Sequence, residues 1–205
     1  MSAVYVDDYA RVEGRTTVAC RYTDRLLIAL WPWTRCGSVA PGADLRVILD
    51  EAEPRALARC ALDPVGVVAR AYRGVDLVVR ELAPPRVEGC RWPGIRDADV
   101  VASRIAAMLR EAPPITPANV AATHADLSER HARFPMHAGI DHEALRALGW
   151  LRAAAAADTS EAWEAAIERC AIECAGVAVS HACIAPGYGD ATWEPVARLL
   201  WTVTT

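Results

Sequence analysis

The chain has 205 residues, 53% of them hydrophobic, and a formal net charge of −4. That size and apolar content can bury a core without metal or disulfide staples. The acidic balance lacks the positive footprint of a general nucleic-acid binder, and no apolar stretch approaches the roughly 18 residues of a membrane span. The opening MSAVYVDDYARVEG carries acids where a signal peptide has a basic region and an apolar block, so a cytoplasmic location is expected. The seven cysteines, odd in number and without CxxC pairs, then read as reduced thiols. All 22 basic residues are arginine, Gln is absent and Asn119 is the only Asn, which reads as the codon bias of a GC-rich genome.

In chain order, the first third reads as strands. Thr16–Tyr22 sets Val18, Cys20 and Tyr22 on one face at period two, Asp24 and Arg25 make a tight turn, and Leu26–Trp33 follows as a second, two-sided apolar strand. RCGSVAPGA has the Gly and Pro punctuation of a loop. Leu45–Leu49 and Val65–Tyr72 are the third and fourth strands, with Pro54–Ala61 as a helical turn or irregular crossing between them. Four strands with short connections predict an antiparallel meander.

The period then changes. Asp97 caps a helix with apolar residues at Val101, Ile105, Met108 and Leu109, and Pro113 and Pro114 end it. A second helix starts near Pro117 and runs towards Arg133. From residue 136 the chain is Ala-rich: a helix from Asp141 to about Ala157, and one opened by Asp158-Thr159-Ser160 with Trp163, Ile167, Cys170, Cys174 and Val177 on one stripe. A short helix over Trp193–Trp201 closes the chain.

Trp92, the pair Met108-Leu109, Pro114, Pro117, Asn119 and Ala121-Ala122 fall in the order and spacing of the C-terminal half of the ubiquitin-conjugating enzyme fold, which the chain resembles over about residues 16–134. The hairpin ACRYTDRLLIALWPW, LRVILDEAEP and DPVGVVARAY are similar to that family's first four strands. The resemblance implies an α+β fold: a four-stranded antiparallel meander packed with helices over residues 1–135, plus a C-terminal helical extension over 136–205. It further implies a bacterial-type conjugating enzyme that carries a ubiquitin-like modifier as a cysteine thioester and passes it to a target. An activating enzyme would be a partner, and the extension could form a homodimer. The alternative is a catalytically inactive binding or scaffold module on the same fold.

The family's His-Pro-Asn tripeptide is absent: Arg73-Gly74-Val75 follow Tyr72, and Pro84 stands where its nucleophilic Cys belongs. Cys90 is the nearest thiol, and Arg91 beside it would favour the thiolate, so Cys90 and Arg91 are the catalytic candidates. Cys36 and Cys60 are lesser ones. A thiol protease pairing Cys36 or Cys90 with His124 or His137 is a further enzyme class. No cofactor or metal is expected. His124 and His131 share a helix face about 10 Å apart, His137 and His142 lie around a loop, and HAGIDHE lacks HExxH spacing. Cys170, Cys174 and His181 could hold zinc, although a packing face is the simpler reading.

Overall fold

A computed structural model describes residues 21–35, 42–62, 67–90, 96–135, 137–180 and 192–205. Among these residues every regular element is helical: α1 (Arg21–Leu30), a 3-10 segment (Trp31–Arg35), α2 (Gly42–Leu62), α3 (Val67–Leu77), a π-helical turn (Val78–Leu82), α4 (Ala83–Gly89), α5 (Ala98–Arg110), α6 (Val120–His131), α7 (Ile140–Ala155), α8 (Ser160–Ser180) and α9 (Glu194–Thr204). The predicted α+β meander is therefore wrong, and the described residues do not form the ubiquitin-conjugating fold.

The physical reason lies in the burial pattern. Tyr22, Leu26, Leu27 and Leu30 are all buried, at intervals that follow a helix face rather than a strand face. Leu45, Leu49, Ala52 and Ala56 repeat the pattern in α2, and Ala71, Val75, Val78 and Leu82 repeat it through α3 and the π turn. Asp24 and Arg25, expected in a hairpin turn, sit inside α1. Pro54 lies within α2, the crossing expected to be helical or irregular. Residues 16–20 of the first expected strand, and most of RCGSVAPGA, lie outside the described residues.

ELAPPRVEG, the stretch that holds Pro84 where the ubiquitin-conjugating family has its nucleophile, is helical throughout. Pro84 and Pro85 cannot donate backbone hydrogen bonds, and their rings crowd the preceding turn. The wider π turn immediately before them takes up that misfit.

From α5 onward the expected helices are present. Asp97 stands at the N-cap position of α5 with a left-handed φ of 60°, but its side chain makes no capping hydrogen bond. Between α5 and α6 the Asn119 side chain accepts from the Thr116 N–H at 2.8 Å and donates to the Pro114 carbonyl at 2.9 Å. Asp76 of α3 accepts the Ile115 N–H at 2.8 Å and fixes this connector to the body. The Pro and Asn residues that carried the family resemblance are thus accounted for by a local turn and its anchor.

α8 lies at the centre, packed on α7 and α1 and touching α3, α4 and α9. Its expected stripe holds: Ile167, Cys170, Cys174 and Val177 are buried, and Trp163 is partly so. One apolar cluster runs from Tyr22 to Val203, so the C-terminal helices share a core with the first. Each fully buried Leu or Val in it contributes about 1.5–3 kcal/mol. Tyr22 fills the space left by Gly74, where an added Cβ would lie 2.4 Å from its hydroxyl. An Arg146–Glu173 pair at 2.9 and 3.0 Å ties α7 to α8 on the outside. None of the described helices is long and apolar enough to cross a membrane.

Candidate metal centre

α6 ends at His131 and α7 starts at Ile140. Gly139 precedes α7 with φ 86°, a conformation open to glycine and strained for other residues. This entry puts Asp141 in the first turn of α7, where the helix dipole favours a carboxylate. Its side chain is fully buried and turns back towards the end of α6.

Three imidazoles gather around it. The rings of His131 and His137 stack at 4.2 Å, and the His142 ring meets them edge-on at 4.7 and 4.5 Å. One nitrogen from each lies within 4.8 Å of the others. Asp141 Oδ2 is 2.7 Å from His131 Nε2 and 3.5 Å from His137 Nδ1. Asp141 Oδ1 and His137 Nδ1 are both buried and find no hydrogen-bond partner. Leaving such atoms unpaired costs about 1–3 kcal/mol each.

This donor set suits a divalent ion of the zinc class. An ion about 2.0–2.1 Å from each nitrogen would bring the three nitrogens to about 3.3 Å from one another, closer than the 4.8 Å within which they now lie. Asp141 fixes the orientation of His131, as carboxylates behind metal-bound histidines do, and still has Oδ1 to offer. Burial penalises its charge, but the His131 hydrogen bond, the fields of His131 and His142 and the His142 backbone outweigh this and hold the carboxyl below its ordinary value. His142 is also shifted down, by burial first, with His131, His137 and Arg146 adding to the effect against Asp141. It is therefore neutral at pH 7, the form that ligates.

The cluster opens onto a groove of about 490 Å³ between α6 and α7. His131 and His142 form one end, and His124, Gly149 and Arg152 the other. Gly149 has a steric role, because a Cβ there would lie 2.9 Å from His124 Nε2. The two helices run antiparallel, which sets His124 against Gly149 and His131 against His142. Burial, then the charge of Arg152, lowers the proton affinity of His124.

The other expected residues fall elsewhere. Cys90 follows α4 in extended conformation and is half-buried. Burial raises its pKa, Asp141 raises it further, and Arg86 only partly opposes them, so the thiol is shifted away from the thiolate that a nucleophile requires. Arg91, Trp92, Cys36 and His181 lie outside the described residues, as does the side chain of Cys60. Cys170 and Cys174 are fully buried beside Tyr22, and the Cys174 hydrogen bond together with burial pushes the Cys170 thiol well up. They are core residues. His124 and His131 do share a face of α6, but His131 finds its partners in the loop and in α7. The set His131, His137, His142 and Asp141 was not visible as a group in the sequence. The available signal was the spacing His-x5-His-x4-His around a glycine between two helices.

No protein-family model, curated protein or solved structure matches this chain.

Proposed function

We propose that this chain is a divalent-metal enzyme, with the ion held by His131, His137 and His142 and the site braced by Asp141. One observation carries the reading: three imidazoles converge on a fully buried carboxylate that still has an unpartnered oxygen. Three protein ligands leave a coordination position free, the pattern of catalytic rather than structural zinc. Bound there, the ion would supply Lewis acidity and a lowered pKa for its water, which favours hydrolytic chemistry. The chain's own part is to hold His142 neutral, to orient the imidazoles and to present the substrate in the α6–α7 groove.

Metal loading tests it. The chain, stripped with chelator and titrated with Zn²⁺ or Co²⁺, should bind one ion. Co²⁺ should give visible absorption bands of a low-coordinate N/O site, and His137→Ala or His142→Ala should weaken binding at least tenfold. Binding no tighter in the parent than in the double alanine variant would refute the proposal. A second reading, a metal-free proton relay, draws on the 2.7 Å His131–Asp141 contact. It predicts that ions leave both spectrum and stability unchanged.

Modifier transfer through Cys90 rested on the strand meander and on an activated thiol. The fold is helical and the thiol is shifted upward, so the modifier and activating enzyme implied as partners lose that basis. A cytoplasmic setting remains part of the present reading.

A further inference from the structure

We propose that the α6–α7 groove binds a small, elongated organic monocarboxylate, with its carboxylate at Arg152 and His124 and its reacting end at the imidazole cluster. The proposal takes only the position of the reacting end from the metal-centre reading; recognition of the anion stands on the groove itself.

The charges select the ligand. Of the two arginines in the groove, Arg146 is engaged by both oxygens of Glu173. Arg152 has no carboxylate within ion-pairing distance among the described residues, and it faces the same space as His124. A guanidinium beside an imidazole, with no acid to neutralise it, is a fixed positive end. Guanidinium groups match the two oxygens of a carboxylate. A dianionic phosphate would ask for more donors than the single guanidinium of Arg152 and the imidazole of His124 provide.

The walls set the body of the ligand. Leu145, Ser128 and Arg146 line the space between the two ends, and Ala153 and the partly exposed Trp150 flank the Gly149 end. The apolar members of this lining, Leu145, Ala153 and Trp150, favour a hydrocarbon or aromatic segment over a sugar. The ends set the length. From His131 to His124 is seven residues of α6, about 10 Å at 1.5 Å per residue. A ligand that touches both ends is therefore a short chain or a ring with a side arm, and about 490 Å³ accommodates it.

The experiment uses phenylacetate, 3-phenylpropionate and 4-phenylbutyrate with their uncharged amides, titrated calorimetrically into the zinc-free chain and into the zinc-loaded chain. In the zinc-free chain, where no ion can capture the carboxylate, each acid should bind at least tenfold more tightly than its amide. Arg152→Gln, a change at an exposed position, should remove that preference while leaving the melting temperature unaltered. The zinc-loaded chain should add a dependence on chain length. Equal binding of acids and amides, an acid preference that survives Arg152→Gln, or no binding in either form overturns the proposal. A chain that takes up no zinc but retains the Arg152-dependent preference keeps this proposal and removes the metal centre; the converse result removes only this one.

Discussion

Replacing Asp141 with asparagine isolates the group on which the metal centre depends. The amide has nearly the same shape, so packing in the fully buried site is retained. The lost charge acts in three ways. The 2.7 Å contact to His131 Nε2 falls from a charge-assisted hydrogen bond worth about 1.5–3 kcal/mol to a neutral one worth about 1 kcal/mol. The first turn of α7 loses a favourable dipole interaction of about 0.3–1 kcal/mol. Against these, a neutral amide is less costly to bury than a carboxylate. The net loss should be about 1–2 kcal/mol, or roughly 2–8 °C in melting temperature for a chain of this size. Zinc affinity should fall about 10–100-fold, the usual cost of removing a carboxylate behind a ligating histidine.

Calorimetric melting in chelator, paired with a competitive zinc titration, reads both quantities. The sign with pH is fixed as well. The folded carboxyl is held below its ordinary value, so its contribution is complete above the unfolded pKa near 4 and is lost as pH falls through the lower folded value. The gap between parent and variant should shrink as the pH falls below about 4. A variant that loses stability but binds zinc as tightly as the parent would show that Asp141 is only a packing residue, and the metal reading would lose its second half.

Gly74→Ala places a Cβ 2.4 Å from the hydroxyl of the fully buried Tyr22. Overpacking of about 1–3 kcal/mol should outweigh the helix-propensity gain of about 1 kcal/mol, and chemical denaturation should show a lower midpoint. Gly139→Ala meets no neighbouring atom, so its cost is backbone strain on the order of 1–3 kcal/mol. The same change should weaken zinc binding by moving Asp141 and His142, a coupling that zinc titration of the variant would test. Gly149→Ala should displace the His124 ring and reduce carboxylate binding with little change in melting temperature, because His124 Nε2 is the tip of a side chain that can turn. Asp24 is pushed up to about 6, by burial first and by Glu53, against Arg25. Its ionisation therefore destabilises the fold, an effect absent below the unfolded value and present as pH rises through about 6. Asp24→Asn should raise the melting temperature by a few degrees near pH 7.5 and hardly at all near pH 4, as thermal melts at the two pH values would show.

The helices of the second half could be read along the chain because several carry their own signals: Asp97 before α5, Pro113 and Pro114 after it, and Thr159 before α8, where its hydroxyl accepts the Ala162 N–H at 3.2 Å. Local chemistry sets such boundaries, so the amino-acid order alone determines them. The first half offers fewer stops. Runs such as LRVIL and VVARAY are short and rich in branched residues, and windows of five to eight residues favour a strand. What makes them helices is the longer apolar repeat through Leu45, Leu49, Ala52 and Ala56, which α9 and the 3-10 segment cover in the fold. The imidazole cluster is further from the sequence still. His131 ends one helix, His137 lies in a loop and His142 begins the next helix, so no single periodicity relates them. They meet because α6 and α7 pack antiparallel across a glycine-permitted turn, and convergence of that kind is a property of tertiary packing.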